Sequence, residues 1–219
     1  MKINAIIFGA TGMVGEGVLH VALEYPETES VLVVGRRTCG VRHPRLRELV
    51  TPDFTDFAPV QNQLREYNAC FFCAGSTSVG KTEEEYRRIT HDLTLGAAEA
   101  LVQVNSGITF CYVSGAGTDS TERGRLMWAR VKGKTENDLS KLPFKAVYNF
   151  RPGFIKPIPG LKNAFAVSRV LGKAYPIWKT LMPNYVCTLE DLGRAMIHAV
   201  ERGYTSTVLE NRDIALLAR

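Results

Sequence analysis

The stretch from Ile3 to Gly15 decides most of what this chain can become. An apolar run, Ile3-Asn4-Ala5-Ile6-Ile7-Phe8, stops at Gly9-Ala10-Thr11-Gly12-Met13-Val14-Gly15, and Val14, Val18, Leu19, Ala22 and Leu23 follow at helical spacing. A buried strand, a tight glycine turn and a helix, in that order, open a dinucleotide-binding unit. Gly9 supplies the backbone angles of the turn, Gly12 lets main chain approach a pyrophosphate, and Gly15 lets the helix pack close on the strand. The free N–H groups of the first helical turn then face the anion. Gly9, Thr11, Gly12, Met13, Val14 and Gly15 are therefore the first candidate cofactor-binding residues.

The next apolar run, Ser30 to Val34, ends at Gly35, Arg36 and Arg37. In a dinucleotide fold an acid about 20 positions past the glycine turn holds the ribose 2′-hydroxyl of NAD, whereas arginine there accommodates a 2′-phosphate. Counting from Gly15 lands on Gly35, and no acid follows it. Two guanidiniums, suited to bidentate pairing with phosphate, make NADP(H) the expected cofactor.

Leu46 to Val50 reads as a third strand, before Thr51, Pro52, Asp53 and Phe54. Phe57 to Tyr67 reads as a helix, and Cys70 to Ala74 as a fourth strand closing on Gly75. Ala74 and Gly75 thus fall at a strand's carboxyl end, where open parallel sheets keep their ligand crevice. A helical pattern runs from Glu83 through Leu101. Ile108 to Val113 is a fifth strand leading to Ser114, and Lys145 to Phe150 a sixth leading to Arg151, Pro152 and Gly153.

This alternation predicts an α/β fold, a Rossmann-type doubly wound parallel sheet with right-handed crossovers. One domain over residues 1–219 is expected, with about 154–187 forming a small substrate-side cap. Within that cap the mixed basic and apolar stretch Phe165 to Met182 is broken by Gly172 and Pro176, which favours a cap over a membrane-surface helix. Leu189 to Val200 reads as a last amphipathic helix with Thr188 as its cap, and Val208 to Leu217 closes the chain.

Composition narrows the function classes. No apolar run approaches the ~20 residues that span a bilayer, and Met1-Lys2 runs straight into the first strand, so a soluble, cytoplasmic protein without stable membrane insertion is expected. Cys70 and Cys73 are three apart on a strand and point to opposite faces, a poor disulfide or metal pair, and the four histidines lack ligand spacing. No metal is expected. The net charge of +5 is scattered, with Arg36, Arg37, Arg42, Arg45 and Arg47 the only dense group, so no nucleic-acid partner is expected.

The glycine pattern GxxGxxG with Thr11 resembles the short-chain dehydrogenase/reductase superfamily, in its extended and atypical branches. The order of GATGxxG, Cys-Ala-Gly-Ser-Thr, Val-Lys-Gly, Phe-Arg-Pro-Gly and a closing Leu-Glu-Asn is similar to the Tat-interacting-protein-like group of atypical members. That resemblance implies NADP(H) binding and either an oxidoreductase or a regulatory role. It also implies an adenine contact at Asp53, and adds Phe54, Arg151, Pro152 and Gly153 to the cofactor set.

Reductases of the superfamily place a hydroxyl residue after the fifth strand and a YxxxK pair on the next helix. The tyrosine protonates the carbonyl while the lysine holds the nicotinamide ribose. Ser114 stands at the hydroxyl position, Lys132 at the lysine and Trp128 where tyrosine is usual. An indole N–H donates hydrogen bonds and is no acid near neutral pH. Three readings follow. The chain is a reductase of a small carbonyl substrate with its proton from elsewhere, a non-catalytic NADPH-binding regulatory protein with a protein partner, or a nucleotide-sugar epimerase-like enzyme.

Overall fold

The computed structural model describes residues 1–53, 61–163 and 182–219. Strand β1 (Ile3–Phe8) alternates its side chains between two layers. Ile6 and Phe8 join Leu32, Val34, Cys70, Phe72, Phe110 and Tyr112 in one core, while Ile3, Ala5 and Ile7 join Val31, Val33, Ala69, Phe71 and Cys111 in the other. A strand buried on both faces is the mark of a parallel sheet with helices on either side.

That sheet has seven strands in the order β3-β2-β1-β4-β5-β6-β9, all parallel. After β1 come β2 (Thr28–Gly35), β3 (Leu46–Val50), β4 (Ala69–Phe72), β5 (Thr109–Val113), β6 (Ala146–Arg151) and, near the chain's end, β9 (Val208–Glu210). The strand order reverses between β1 and β4, so the crevice for a ligand opens at their carboxyl ends. Helices α1 (Met13–Glu24), α6 (Leu189–Arg202) and α7 (Asn211–Leu217) cover one face. The other face carries α2 (Gln61–Leu64), α4 (Leu93–Val104) and α5 (Met127–Leu139).

The strands expected from sequence are present, with ends shifted by one or two residues. The pattern from Glu83 to Leu101 is helical but divided into α3 (Glu83–Arg87), a π-helical turn (Arg88–Asp92) and α4. Thr188 caps α6 as expected, its hydroxyl accepting from Asp191 N–H and the Asp191 carboxylate accepting from Thr188 N–H. Within the expected cap a two-stranded parallel ribbon, β7 (Phe154–Lys156) with β8 (Val186–Thr188), was not foreseen. Phe54, most of the Phe57 to Tyr67 helix and most of the Phe165 to Met182 stretch lie outside the described residues. Cys70 and Cys73 pack into opposite layers, and all five cysteines are free thiols. Among the described residues no helix is long and apolar enough to cross a membrane.

Candidate functional site

The glycine turn is built by close contacts between backbones. Gly9 has φ +81, and a Cβ on it would lie 2.6 Å from Ala74 N, so the turn after β1 and the turn after β4 meet where only glycine fits. A Cβ on Gly15 would stand 2.1 Å from Gly9 O, which fixes α1 hard against the turn. Gly12 is different. It is exposed, its N–H donates to Gly9 O at 2.9 Å, and a Cβ there would meet nothing nearer than that oxygen at 3.5 Å.

Helix α1 begins at Met13 with Gly12 as N-cap and no capping side chain. Its first N–H groups therefore keep their positive end open, and Gly75 across the crevice also faces open space. This cradle fits a diphosphate, the part of a dinucleotide that binds helix N-termini. Glu16, in the same turn, is buried. Its carboxylate accepts from the N–H groups of Lys162 and Asn163 at 2.9 and 2.8 Å, tying α1 to the loop after β7. Sequence reading missed it because the partner loop is far along the chain.

At the end of β2, Arg36 and Arg37 are both exposed and, among the described residues, make no ion pair. Arg45, from the same basic group, has another task. It donates to the carbonyl oxygens of Leu23, Tyr25 and Thr28 and closes the carboxyl end of α1. Asp53 lies exposed beyond β3, in a turn where the Thr51 hydroxyl donates to Asp53 O at 2.9 Å.

The loops after β5 and β6 are zipped together. Ser114 N–H donates to Phe150 O at 2.7 Å and Ala116 N–H to Pro152 O at 2.9 Å. The Ser114 hydroxyl lies 3.0 Å from Thr118 Oγ1, which gives its own proton to Gly115 O at 2.7 Å. With that proton committed, Thr118 is the acceptor and Ser114 the donor. Gly117, with φ +85, lies against Trp128, whose Cη2 would be 3.4 Å from a Cβ built there. The indole thus covers the loop that carries Ser114.

Asp119 then organises the approach to α5. Its carboxylate accepts from Thr121 N–H and hydroxyl, Arg123 N–H and Gly124 N–H, which lowers its pKa to about 2. Asp119 N–H donates to Ala129 O, and a Cβ on Gly133 would lie 1.8 Å from Asp119 O, so helix and loop sit in one rigid contact. Neither Asp119 nor Gly133 was singled out from sequence, although an Asp followed by Ser-Thr-Glu-Arg-Gly is a turn signal.

Lys132 is one helical turn beyond Trp128, with its Nζ 5.3 Å from the centroid of the Tyr112 ring. Desolvation lowers its pKa to about 8, against an opposing pull from Glu136. Among the described residues the ammonium has no hydrogen bond or salt bridge.

Arg151 must be reassigned. Its Nε and Nη2 bind the buried Glu136 carboxylate, Nη1 reaches Glu210 at 3.2 Å and Nη2 reaches the Ser120 hydroxyl at 2.6 Å. The guanidinium is committed inside the fold, so Arg151 is not available to a cofactor. Gly153 is a packing glycine as well, since a Cβ there would lie 2.1 Å from Tyr185 O.

Residues 5–121, more than half of the chain, match the NAD dependent epimerase/dehydratase family. The chain belongs to that family. A nicotinamide dinucleotide is the cofactor class that goes with membership of the epimerase/dehydratase family. The chain is 25% identical over 210 residues to the mitochondrial protein fmp52 of Emericella nidulans, covering 90% of this chain and 86% of that one. It is 31% identical over 153 residues to mitochondrial FMP52 of Debaryomyces hansenii, covering 68% and 66%. These relatives are named as mitochondrial proteins, which overturns the cytoplasmic location expected from sequence.

Among solved structures, UDP-N-acetylglucosamine 4-epimerase from Bacillus cereus superposes with TM-score 0.67 at 16% identity, over 98% of this chain and 84% of that one. The Bordetella bronchiseptica enzyme WbmF, in complex with NAD+ and UDP, gives 0.65 at 18%, over 98% and 76%. At that identity the likeness is one of fold.

Proposed function

We propose that this chain is an NADP(H)-dependent reductase of a small carbonyl compound, an atypical member of its family similar to the Tat-interacting-protein-like group. Lys132 carries the reading: a lysine ammonium held in protein surroundings without a hydrogen-bond partner among the described residues, one turn from Trp128. Purely structural lysines keep their charge in water or paired. A ligand with a hydroxyl or carbonyl oxygen satisfies it.

In this reading the N–H groups at Met13 and Val14 bind the diphosphate over Gly12, and Arg36 and Arg37 take the 2′-phosphate. When bound, the reduced dinucleotide supplies a hydride. Ser114 turns its hydroxyl from Thr118 to the substrate's carbonyl oxygen.

A second reading rests on Trp128. With indole in place of phenol, the chain binds NADPH and presents its state to a protein partner without turnover. NADPH oxidation against aldehydes, ketones and quinones separates the two. Turnover that is lost in Ser114→Ala supports the reductase, while silence across the panel with NADPH binding retained supports the regulatory protein.

A further inference from the structure

Reduction of a carbonyl needs a proton at the carbonyl oxygen, and no tyrosine stands where such a proton is usually given. The Ser114 hydroxyl is a donor of hydrogen bonds and a poor acid. Lys132 is different in kind. Its i, i+4 relation to Trp128 puts both on one face of α5, and the packing of Trp128 over Gly117 brings that face to the loop of Ser114. Among the described residues nothing accepts a hydrogen bond from its ammonium, so its protons are not committed.

We propose that Lys132 is itself the acid that protonates the substrate's carbonyl oxygen. The inference rests on the reductase reading. The carbonyl carbon receives hydrogen and two electrons from the reduced dinucleotide, and the C=O π pair moves onto oxygen. That oxygen takes the Lys132 proton as the N–H bond breaks and an O–H bond forms. The neutral amine left behind regains a proton from the solvent, so the net reaction consumes one proton and yields an alcohol and the oxidised dinucleotide.

The groups around Lys132 suit this role. On α5 the Glu136 carboxylate favours the charged ammonium but is itself clasped by Arg151. From β5 comes the face of Tyr112, a buried phenol kept neutral by desolvation, and beside it from α3 is Tyr86, shifted the same way. The loop after β5, which Trp128 covers, carries the neutral hydroxyls of Ser114 and Thr118. The side chains of Glu83, Arg87 and His91 from α3 and the π turn gather with Arg130 and Lys134 on another face of α5. The resulting pKa of about 8 lies close to the operating pH, where an acid is both protonated and able to give its proton up.

The test compares wild type, Lys132→Arg and Lys132→Met, with NADPH as cofactor and 4-nitrobenzaldehyde and 9,10-phenanthrenequinone as probes. Arginine keeps the positive charge that a ribose contact or electrostatic role needs but gives up no proton. Lys132→Arg should keep NADPH binding by calorimetry while kcat falls about 100-fold or more, with Lys132→Met losing both. Wild-type kcat should fall as pH rises through about 8, and that limb should be missing from the residual Lys132→Arg activity. Independently of turnover, carbon NMR of lysine-labelled protein should show one ammonium titrating near 8, absent from Lys132→Arg. Undiminished kcat in Lys132→Arg, or a Lys132 signal that titrates with the ordinary lysines, overturns the proposal and leaves the reductase standing. If wild type reduces no probe although Lys132 titrates near 8, the reductase reading fails and the proposal falls with it.

Discussion

Arg151 and Glu136 form a two-point ion pair inside the fold, Nε to Oε1 at 3.0 Å and Nη2 to Oε2 at 2.5 Å, with side chains 10% and 2% exposed. The pair joins the end of β6 to the middle of α5, the helix that carries Trp128 and Lys132. Removing one member leaves the other charged and without water. Glu136→Ala or Arg151→Met should cost about 3 to 5 kcal/mol of stability, read by urea unfolding. Loss below 1 kcal/mol would show that the pair is weaker than its geometry implies.

Two glycines of one turn should behave in opposite ways. Gly15→Ala forces a methyl group into Gly9 O and should destabilise by about 1 to 3 kcal/mol or more. Gly12→Ala has room and should cost at most about 1 kcal/mol, that of replacing a glycine cap. Its methyl group stands where the diphosphate approaches, so NADPH affinity should drop about tenfold or more. Unchanged NADPH affinity in a folded Gly12→Ala would displace the phosphate site from this turn.

The turn was legible from sequence because its logic is local: strand, glycines and helix follow within a dozen positions, and each element advertises itself by period. The places of Ser114 after β5 and of Lys132 on α5 were legible only by their order relative to the strands. Arg151 was misread because Glu136 and Glu210 lie 15 and 59 positions away, and only folding brings the three together. Glu16 with the Lys162 loop, separated by 146 positions, escaped for the same reason. The β7–β8 ribbon escaped because three-residue strands are too short to show alternation.

Asp119 predicts a pH dependence in the loop ahead of α5. Hydrogen bonds from Thr121, Arg123 and Gly124 depress its folded pKa to about 2, so its contribution is fully present above the ordinary value of about 4 and is lost as pH falls toward 2. Carboxyl NMR should show Asp119 titrating near 2, below the ordinary aspartate range. The Thr121 and Gly124 amides should lose exchange protection over the same range. Ordinary titration near 4 would show that the loop does not hold the carboxylate.

NADPH should bind more tightly than NADH. Arg36 and Arg37 are exposed at the end of β2 and make no ion pair among the described residues, and charge-assisted bonds to a phosphate contribute roughly 1.5 to 3 kcal/mol each. That corresponds to about tenfold or more per arginine. Calorimetry on wild type and on Arg36→Ala with Arg37→Ala should show the preference and its loss. Equal affinities in wild type would return the chain to the NAD usage printed in its family's name.

The last prediction concerns Trp128 and follows from the role of Lys132. Trp128→Tyr puts a phenol one turn before the ammonium, and a positive charge at that distance lowers a phenol's pKa toward the working range. With two acids on one face of α5, loss of the Lys132 proton is no longer fatal. Trp128→Tyr combined with Lys132→Arg should therefore recover turnover that Lys132→Arg alone has lost, by about 100-fold if the phenol is well placed. The measurement is NADPH oxidation with the same carbonyl probes, with near-UV circular dichroism to check that replacing the indole over Gly117 leaves the loop packed. Failure of the double variant despite intact NADPH binding would mean that position 128 does not face the substrate oxygen. A gain in Trp128→Tyr alone without recovery in the double variant would assign Lys132 to the ribose and leave the proton to tyrosine.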